Sequence, residues 1–457
     1  MTPIPQLPAN HPHAWFAEAR FGMFVHWGLY SLGARHEWLS HAEEIPPAEY
    51  EARYLKHFNP DLYDPDEWMR IAAAAGMKYV VLTTKHHEGF CLFDSAFTDY
   101  KATNTPAKRD LIRPYVEAAR RHGLRVGLYY SLIDWHHPDF IIDNRIGPHR
   151  NASPEERARL NAGRDQKRYI AYLHNQIREL MTNYGKIDIA FFDFSYAPPP
   201  DQPQDDFTLG KGRHAWDAQR LYDMVRELQP GIMINNRLNL PNPPDFLTPE
   251  QYLPVRPPTT DKEHTPPDAV RATTPLWEAC QTFSGSWGYY RDEHTWRDAP
   301  ELIRTLSICA SNSGNLILNV GPTGRGEIEP RAKERLAEIG KWMRHHQKAI
   351  HGCGAFPGAP VPGAPGAHVV YTYDAKLNRL YAHILSWPYK FLALPGLLGR
   401  VEYAQFLHDA SEIKMGLPEW FVKQGLDTQV PENSLFLTLP ATAPENIPVP
   451  VIELFLK

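Results

Sequence analysis

Between Phe21 and about residue 345 the chain repeats one pattern: a short apolar run, a polar cluster where the run stops, then a stretch with apolar residues at helical spacing. The runs are FGMFV (from Phe21), KYVVLTT (from Lys78), LRVGLYYS (from Leu124), KIDIAFF (from Lys186), GIMIN (from Gly231), PLWEACQ (from Pro275) and NLILNV (from Asn315). They are apolar almost without interruption, which marks strands buried on both faces of a parallel sheet. Between them, DPDEWMRIAAAAG, RDLIRPYVEAARRHG and PRAKERLAEIGKWMRHH open with acidic residues or Pro, or close with Gly or basic residues, as helix ends do. RDQKRYIAYLHNQIRELMTNYG is longer, amphipathic, and runs straight into the KIDIAFF strand. The pattern predicts a (β/α)8-like barrel over residues 1–350.

Two Pro-rich stretches, APPPDQPQDD from Ala197 and LPNPPDFLTPEQYLPVRPPTTDKEHTPPD from Leu240, do not fit barrel strands, because each Pro removes a ladder donor. They read as long loops over the barrel, where active sites are built. Beyond residue 350 the pattern shortens to HVVYTY, RLYAHILSW, VEYAQFL, ENSLFLTLP and PVIELFL, predicting a small C-terminal β-sandwich over residues 351–457.

Composition narrows the function. With 43% hydrophobic, 12% aromatic and 22% charged residues, the 457-residue chain is globular, and its net charge of -5 gives no footprint for nucleic acid or an anionic membrane. No stretch reaches the roughly 18 apolar residues of a membrane span, and MTPIPQLPANHPHAWF has neither the basic start nor the apolar run of a secretory signal. Cys91, Cys280, Cys309 and Cys353 include no C-x-x-C pair and read as reduced thiols, so a cytoplasmic enzyme is expected. Assembly into a homo-oligomer is left open.

Polar residues gather where the apolar runs end: His26 and Trp27; Lys85, His86, His87 and Glu88; Tyr130, Ser131 and Asp134; Asp193; Asn236 and Arg237; and Glu278. On a barrel these ends meet at one face. The sequence has no Gly-rich phosphate cradle, G-x-S-x-G or G-x-G-x-x-G. A metal hydrolase assembled from His26, His86, His87, Asp193 and Glu278 is one alternative, but these residues form no H-x-H or H-E-x-x-H spacing. Paired carboxylates among imidazoles, an Arg and Trp fit glycoside hydrolysis better.

At these residues the chain resembles the α-L-fucosidases of glycoside hydrolase family 29, over residues 14 to about 355. The matching blocks are RFGMFVHWGLYS, KYVVLTTKHHEGFCLFDS, RDL with RHGLRVGLYYSLIDW, KIDIAFFD, INNR, WEACQT with SWGY, and GNLILNVGPTGRGEI. The resemblance implies a retaining, exo-acting enzyme on a distorted β/α barrel followed by a β-sandwich, with no metal and no organic cofactor. Its substrate would be a fucosylated oligosaccharide or glycoside. Asp193 would be the nucleophile and Glu250, in DFLTPEQ, the acid/base, with Glu278 and Asp245 as competitors for the second role. His26, Glu37, Trp38, His86, His87, Tyr130 and Arg237 would bind the sugar hydroxyls, and Trp287 would face the fucose methyl group. An α-L-galactosidase on the same scaffold and a catalytically silent sugar-binding protein are the other readings. The chain departs from the family at FFDFSY, where relatives often carry Trp before and Gly after the aspartate, and in an enlarged loop from Ala197 to Asp206; both departures bear on aglycone selectivity.

Overall fold

The computed structural model describes residues 11–242, 244–254, 258, 276–357, 368–416 and 433–457. Its centre is a ring of parallel strands: β1 (Phe21–Val25), β2 (Tyr79–Lys85), β3 (Arg125–Ser131), β4 (Ile189–Asp193), β5 (Met233–Ile234), β6 (Phe246–Leu247), β7 (Leu276–Thr282) and β8 (Asn315–Val320). The hydrogen-bonded order β5-β4-β3-β2-β1-β8-β7-β6 leaves one seam, which the parallel bridge Asn235–Phe246 crosses. Side chains reinforce this part of the ring. The Asn235 amide donates to the Phe192 carbonyl at 2.8 Å and accepts from its N–H at 3.0 Å, while the Asp245 carboxylate accepts from the Ile234 N–H at 2.7 Å and pairs with Arg226.

Strand β6 corrects the expectation that the Pro-rich stretch from Leu240 contributes no strand. Its two residues contain no Pro, so they keep their donors for pairing with Leu276 and Trp277. No helix separates β5 from β6, only the 3₁₀ turn Asn236–Leu238, which is where the barrel is distorted. Much of the remaining stretch, residues 255–257 and 259–275, lies outside the described residues.

Around the ring pack α1 (Ala14–Ala19), α2 (Pro65–Ala74), α3 (Ile112–Arg121), α4 (Gln166–Asn183), α5 (Ala218–Leu228), α6 (Ala299–Ser311) and α7 (Pro330–His346). Their starts follow the chain's polar punctuation. Asp64 accepts from Asp66 and Glu67 N–H at α2, Asp165 from Lys167 N–H at α4 and Asp298 from Glu301 N–H at α6. Each such cap contributes about 1 kcal/mol.

Inside the ring Phe24, Tyr79, Tyr129, Phe191, Phe246 and Ile317 form one apolar cluster, with Phe16 of α1 packed against Tyr79 and Phe246. Side chains of the opposite strand parity join the larger cluster between strands and helices. Glu278, expected at a strand end, lies mid-way along β7 and faces inward, accepting from the Tyr79 hydroxyl at 2.7 Å.

The C-terminal part is a five-stranded antiparallel sheet, ordered β13 (Val401–Phe406), β15 (Val451–Leu456), β11 (Arg379–Ile384), β10 (Val369–Asp374), β9 (Gly354–Ala355). A two-stranded sheet, β12 (Phe391–Leu394) with β14 (Leu435–Thr438), shares an apolar core with it through Leu380, Leu394, Leu437 and Leu454. The opposite face of the larger sheet joins the barrel's helical shell, where Val370, Tyr381 and Val451 enter the main core and the Trp342 indole of α7 donates to the Val449 carbonyl at 3.1 Å.

Candidate active site

At the carboxyl ends of the barrel strands lies a cavity of about 420 Å³. Asp193, the last residue of β4, reaches it between two donors: Arg237 Nη1 at 2.6 Å on Oδ1 and the Tyr129 hydroxyl at 2.6 Å on Oδ2. Burial alone would raise this carboxyl's pKa. The Arg237 charge, His87 and the Tyr129 hydrogen bond outweigh burial and hold it well below the usual carboxylate range.

Arg237 lies in the 3₁₀ turn after β5, and the barrel seam fixes it. Its Nε donates to Thr248 Oγ1 at 3.0 Å, Thr248 donates on to Asn236 Oδ1 at 2.8 Å, and Nη2 meets Glu250 Oε2 at 2.7 Å. Glu250 extends β6: it bridges Cys280 of β7, with the Gln251 N–H donating to the Cys280 carbonyl at 3.0 Å. One guanidinium therefore holds two carboxylates, one on each terminal nitrogen.

Three imidazoles line the same cavity with different backing. The Asn319 amide donates to the Trp287 carbonyl at 2.6 Å, so its oxygen, 2.6 Å from His26, accepts a proton on Nδ1. Ser131 likewise donates to Ile133 O at 2.7 Å and receives His87 Nδ1–H at 2.8 Å. Both rings keep a free Nε2 lone pair. Burial, then the neighbouring His86, pushes His26 down to about 3 and holds His87 well below its usual value, so both are neutral acceptors at neutral pH. His86 Nδ1 instead faces the buried Glu88 carboxylate at 3.5 Å.

His86 and His87 both reach the cavity because β2 has ended at Lys85 and the chain turns at Gly89. That turn needs glycine: its φ is +86°, and a Cβ would sit 2.2 Å from Asp134 Oδ1. Asp134 is committed to a buried ion pair with Lys85 at 2.9 Å.

Trp38 and Trp287 line the cavity, Trp287 with its ring 5.1 Å from that of His26. One anticipated sugar ligand lies elsewhere. The Tyr130 hydroxyl donates to Gln176 of α4 at 2.7 Å, outside the ring; its neighbour Tyr129 faces inward, because successive strand residues point to opposite faces. Glu37 stands beside the cavity, where its Oε2 accepts from the Trp287 and Gly288 N–H groups at 3.1 and 2.7 Å and fixes the Trp287 loop.

Of the competing carboxyls, Asp245 closes the seam with Arg226, and Glu278 lies inside the barrel, where burial pushes its carboxyl up to about 8. Glu250 lines the cavity beside Asp193. Cys280 also lines it, but burial, with Glu278 nearby, holds its thiol protonated. Among the described residues no group of three or more His, Cys, Asp or Glu is disposed to hold a metal ion.

Sequence reasoning missed Tyr129, Arg145, Phe194, Tyr196 and Asn319. The step of two along YYS and DFS carries a signal for Tyr129, since it shares the parity of Gly127 and Ser131. Phe194 occupies the position where glycine is common, and its φ of +80° is the left-handed conformation that glycine favours. Packing offsets the strain: its ring meets His87 at 4.8 Å and Trp38 at 5.2 Å.

Residues 3–348 match the α-L-fucosidase family model. The chain belongs to the α-L-fucosidase family. It is a glycoside hydrolase. The α-L-fucosidase isoenzyme 1 from Paenibacillus thiaminolyticus is 42% identical, with a TM-score of 0.84 over 98% of this chain and 99% of that one. A family 29 α-L-fucosidase from Bacteroides thetaiotaomicron, trapped as a covalent intermediate with 2-fluoro-fucosyl fluoride in a glutamate-to-glutamine variant, is 27% identical with a TM-score of 0.76, covering 97% of this chain and 95% of that one. Rat tissue α-L-fucosidase is 29% identical over 97% of this chain and 89% of its own length.

Proposed function

We propose that this α-L-fucosidase removes terminal α-L-fucosyl groups from glycosides with retention of configuration. Asp193 attacks the anomeric carbon as the glycosidic C–O bond breaks, and Glu250 gives its proton to the leaving oxygen. Water then attacks the glycosyl-aspartate, Glu250 takes the water's proton, and the Asp193 carboxylate is released.

The observation that carries this reading is the shared guanidinium of Arg237, which bonds Asp193 and Glu250 at 2.6 and 2.7 Å. Two carboxylates on one guanidinium favour the separation of roughly 5 to 5.5 Å used in retention over the roughly 6.5 to 9.5 Å of inversion. To deliver its proton, Glu250 must exchange the Arg237 contact for the glycosidic oxygen. Thr248 and Asp193 keep the guanidinium in place meanwhile. The trapped covalent intermediate of the Bacteroides relative supports the same course.

Neutral His26 and His87 suit the uncharged hydroxyls of a sugar as acceptors, and Trp287 with Phe24 gives the C6 methyl group an apolar wall. Burying one methyl group discriminates by about 1 to 3 kcal/mol, so an α-L-galactoside, with its extra hydroxyl, should be the poorer substrate. The four buried thiols, none in a disulfide, support a cytoplasmic location.

The test is turnover of p-nitrophenyl α-L-fucoside by wild type, Asp193→Ala and Glu250→Ala, with azide as rescuer. Azide should restore Asp193→Ala with an inverted fucosyl azide and Glu250→Ala with a retained one. The same anomer from both variants would refute the assignment. On the nitrophenyl substrate, whose leaving group needs little protonation, Glu250→Ala should slow formation of the intermediate less than its hydrolysis.

A further inference from the structure

Two guanidinium groups line the catalytic cavity. The charge of Arg237 is matched by Asp193 and Glu250. Arg145 has no carboxylate partner among the described residues: its Nη1 donates to the Tyr196 and Ala197 carbonyls at 3.4 and 3.3 Å, and its guanidinium lies 5.0 Å from the Tyr196 ring centre. Nε and Nη2, the remaining edge of the fork, have no acceptor among the described residues. A guanidinium stacked on an aromatic ring loses less freedom on binding than an unsupported one, and its open edge matches a carboxylate or sulfate.

The mount beneath Arg145 is built. Asp143 Oδ1 accepts from the Arg145 and Ile146 N–H groups at 2.8 and 3.2 Å, and its Oδ2 accepts from the Tyr196 hydroxyl at 2.6 Å and pairs with Lys211. The Asp143 and Lys211 side chains are 1% and 0% exposed. A buried ion pair is a costly way to gain stability and a good way to fix geometry. Here it fastens the loop after β3 to the loop after β4, where Tyr196 and Lys211 exchange backbone hydrogen bonds at 2.7 and 2.8 Å. None of these groups touches Asp193, so the clamp serves whatever Arg145 and Tyr196 meet.

That is the leaving-group side. An exo-acting enzyme holds its terminal sugar on the floor, among His26, His87, Asp193 and Arg237, and the rim then faces the aglycone. We propose that Arg145 and Tyr196 form an aglycone subsite for an anionic substituent, a carboxylate or a sulfate, on the group released from fucose. The inference rests on the fucosidase reading of the floor.

The test uses two matched pairs of aryl α-L-fucosides: 3-carboxyphenyl with 3-carboxamidophenyl, and 3-sulfophenyl with 3-sulfonamidophenyl. The anion-to-amide ratio of kcat/KM is measured in wild type, Arg145→Lys and Arg145→Gln. Leaving-group reactivity and any loosening of the loop cancel when ratios are compared between proteins. The ratio should fall about tenfold in Arg145→Gln for at least one anion, the scale of a charge-assisted hydrogen bond. The fall should be carried by KM, be smaller in Arg145→Lys, and shrink at high salt. The carboxylate and sulfate arms identify which anion fits the fork. Ratios equal in all three proteins for both anions would overturn the subsite. No wild-type turnover of the neutral carboxamide would instead overturn the reading of the floor on which the subsite depends.

Discussion

On the floor of the cavity, Asp193 ends a barrel strand, Tyr129 and Asn319 lie within strands, His26 follows one directly and Arg237 lies in the turn after another, each side chain hydrogen-bonded to a neighbouring element. On the rim, Arg145, Phe194 and Tyr196 stand in loops, one on a strained backbone and two on a buried ion pair that takes no part in the chemistry. Strand ladders place the floor groups as a consequence of folding the barrel. The rim needs dedicated devices, because loop backbone has no ladder to set it. On the proposed assignment, chemistry resides where the fold is most determined, and selectivity where each position has its own local support.

The comparison breaks most sharply at Asp193. Asp193→Ala should lower kcat by about 10⁴-fold or more while leaving the thermal unfolding transition near the wild-type value, which kinetics and calorimetry would check together. A comparably large loss from any single rim substitution would erase the distinction.

Tyr129→Phe should come next, with kcat down about 10- to 100-fold, since it removes a hydrogen bond to a charged group. That bond helps hold the Asp193 carboxyl low, so its loss raises the pKa, and the acid limb of the pH–rate profile should move to higher pH. Unchanged limbs would show that the hydroxyl does not act on Asp193.

Glu278→Gln should affect stability rather than chemistry. The folded carboxyl is pushed up to about 8 from an ordinary value of 4.5. A raised pKa contributes stability below the unfolded value that is lost as pH rises through the folded one. The variant should therefore match wild type near pH 4.5 and exceed it at pH 8, by an amount on the order of a few kcal/mol, in denaturant titrations at the two pH values. The smallest effect belongs to Tyr130→Phe, which loses one outward hydrogen bond: about 1 kcal/mol of stability and less than a twofold change in kcat. A Tyr130→Phe loss as large as that of Tyr129→Phe would reverse the register of β3.

Much of the floor was legible in the sequence. Apolar runs gave all the barrel strands except β6, whose two residues between Pro244 and Pro249 carry no periodicity. Strand ends pointed to His26, His87, Asp193 and Arg237, but an uninterrupted apolar strand does not declare which parity faces inward. That ambiguity exchanged Tyr130 for Tyr129, while Glu278 was counted among the strand ends because a carboxylate interrupts the apolar run in mid-strand. Glu37 is adjacent to Trp38 yet turns its carboxylate to the Trp287 loop, a long-range contact that spacing along the chain does not encode. The rim was legible only as a departure: Phe194 stood where glycine is common, and its positive φ gives that departure a physical content. The Asp143, Tyr196 and Lys211 clamp joins residues far apart in sequence through a buried pair, and nothing local announces it.

The most direct test of the central claim is to incubate the enzyme with 2-fluoro-fucosyl fluoride, measure the intact mass, and map the labelled peptide. The account predicts one fluoro-fucosyl group per chain, attached to Asp193, with labelling abolished in Asp193→Ala. A label on Glu250 or any other residue, or inactivation without a covalent adduct, would contradict it.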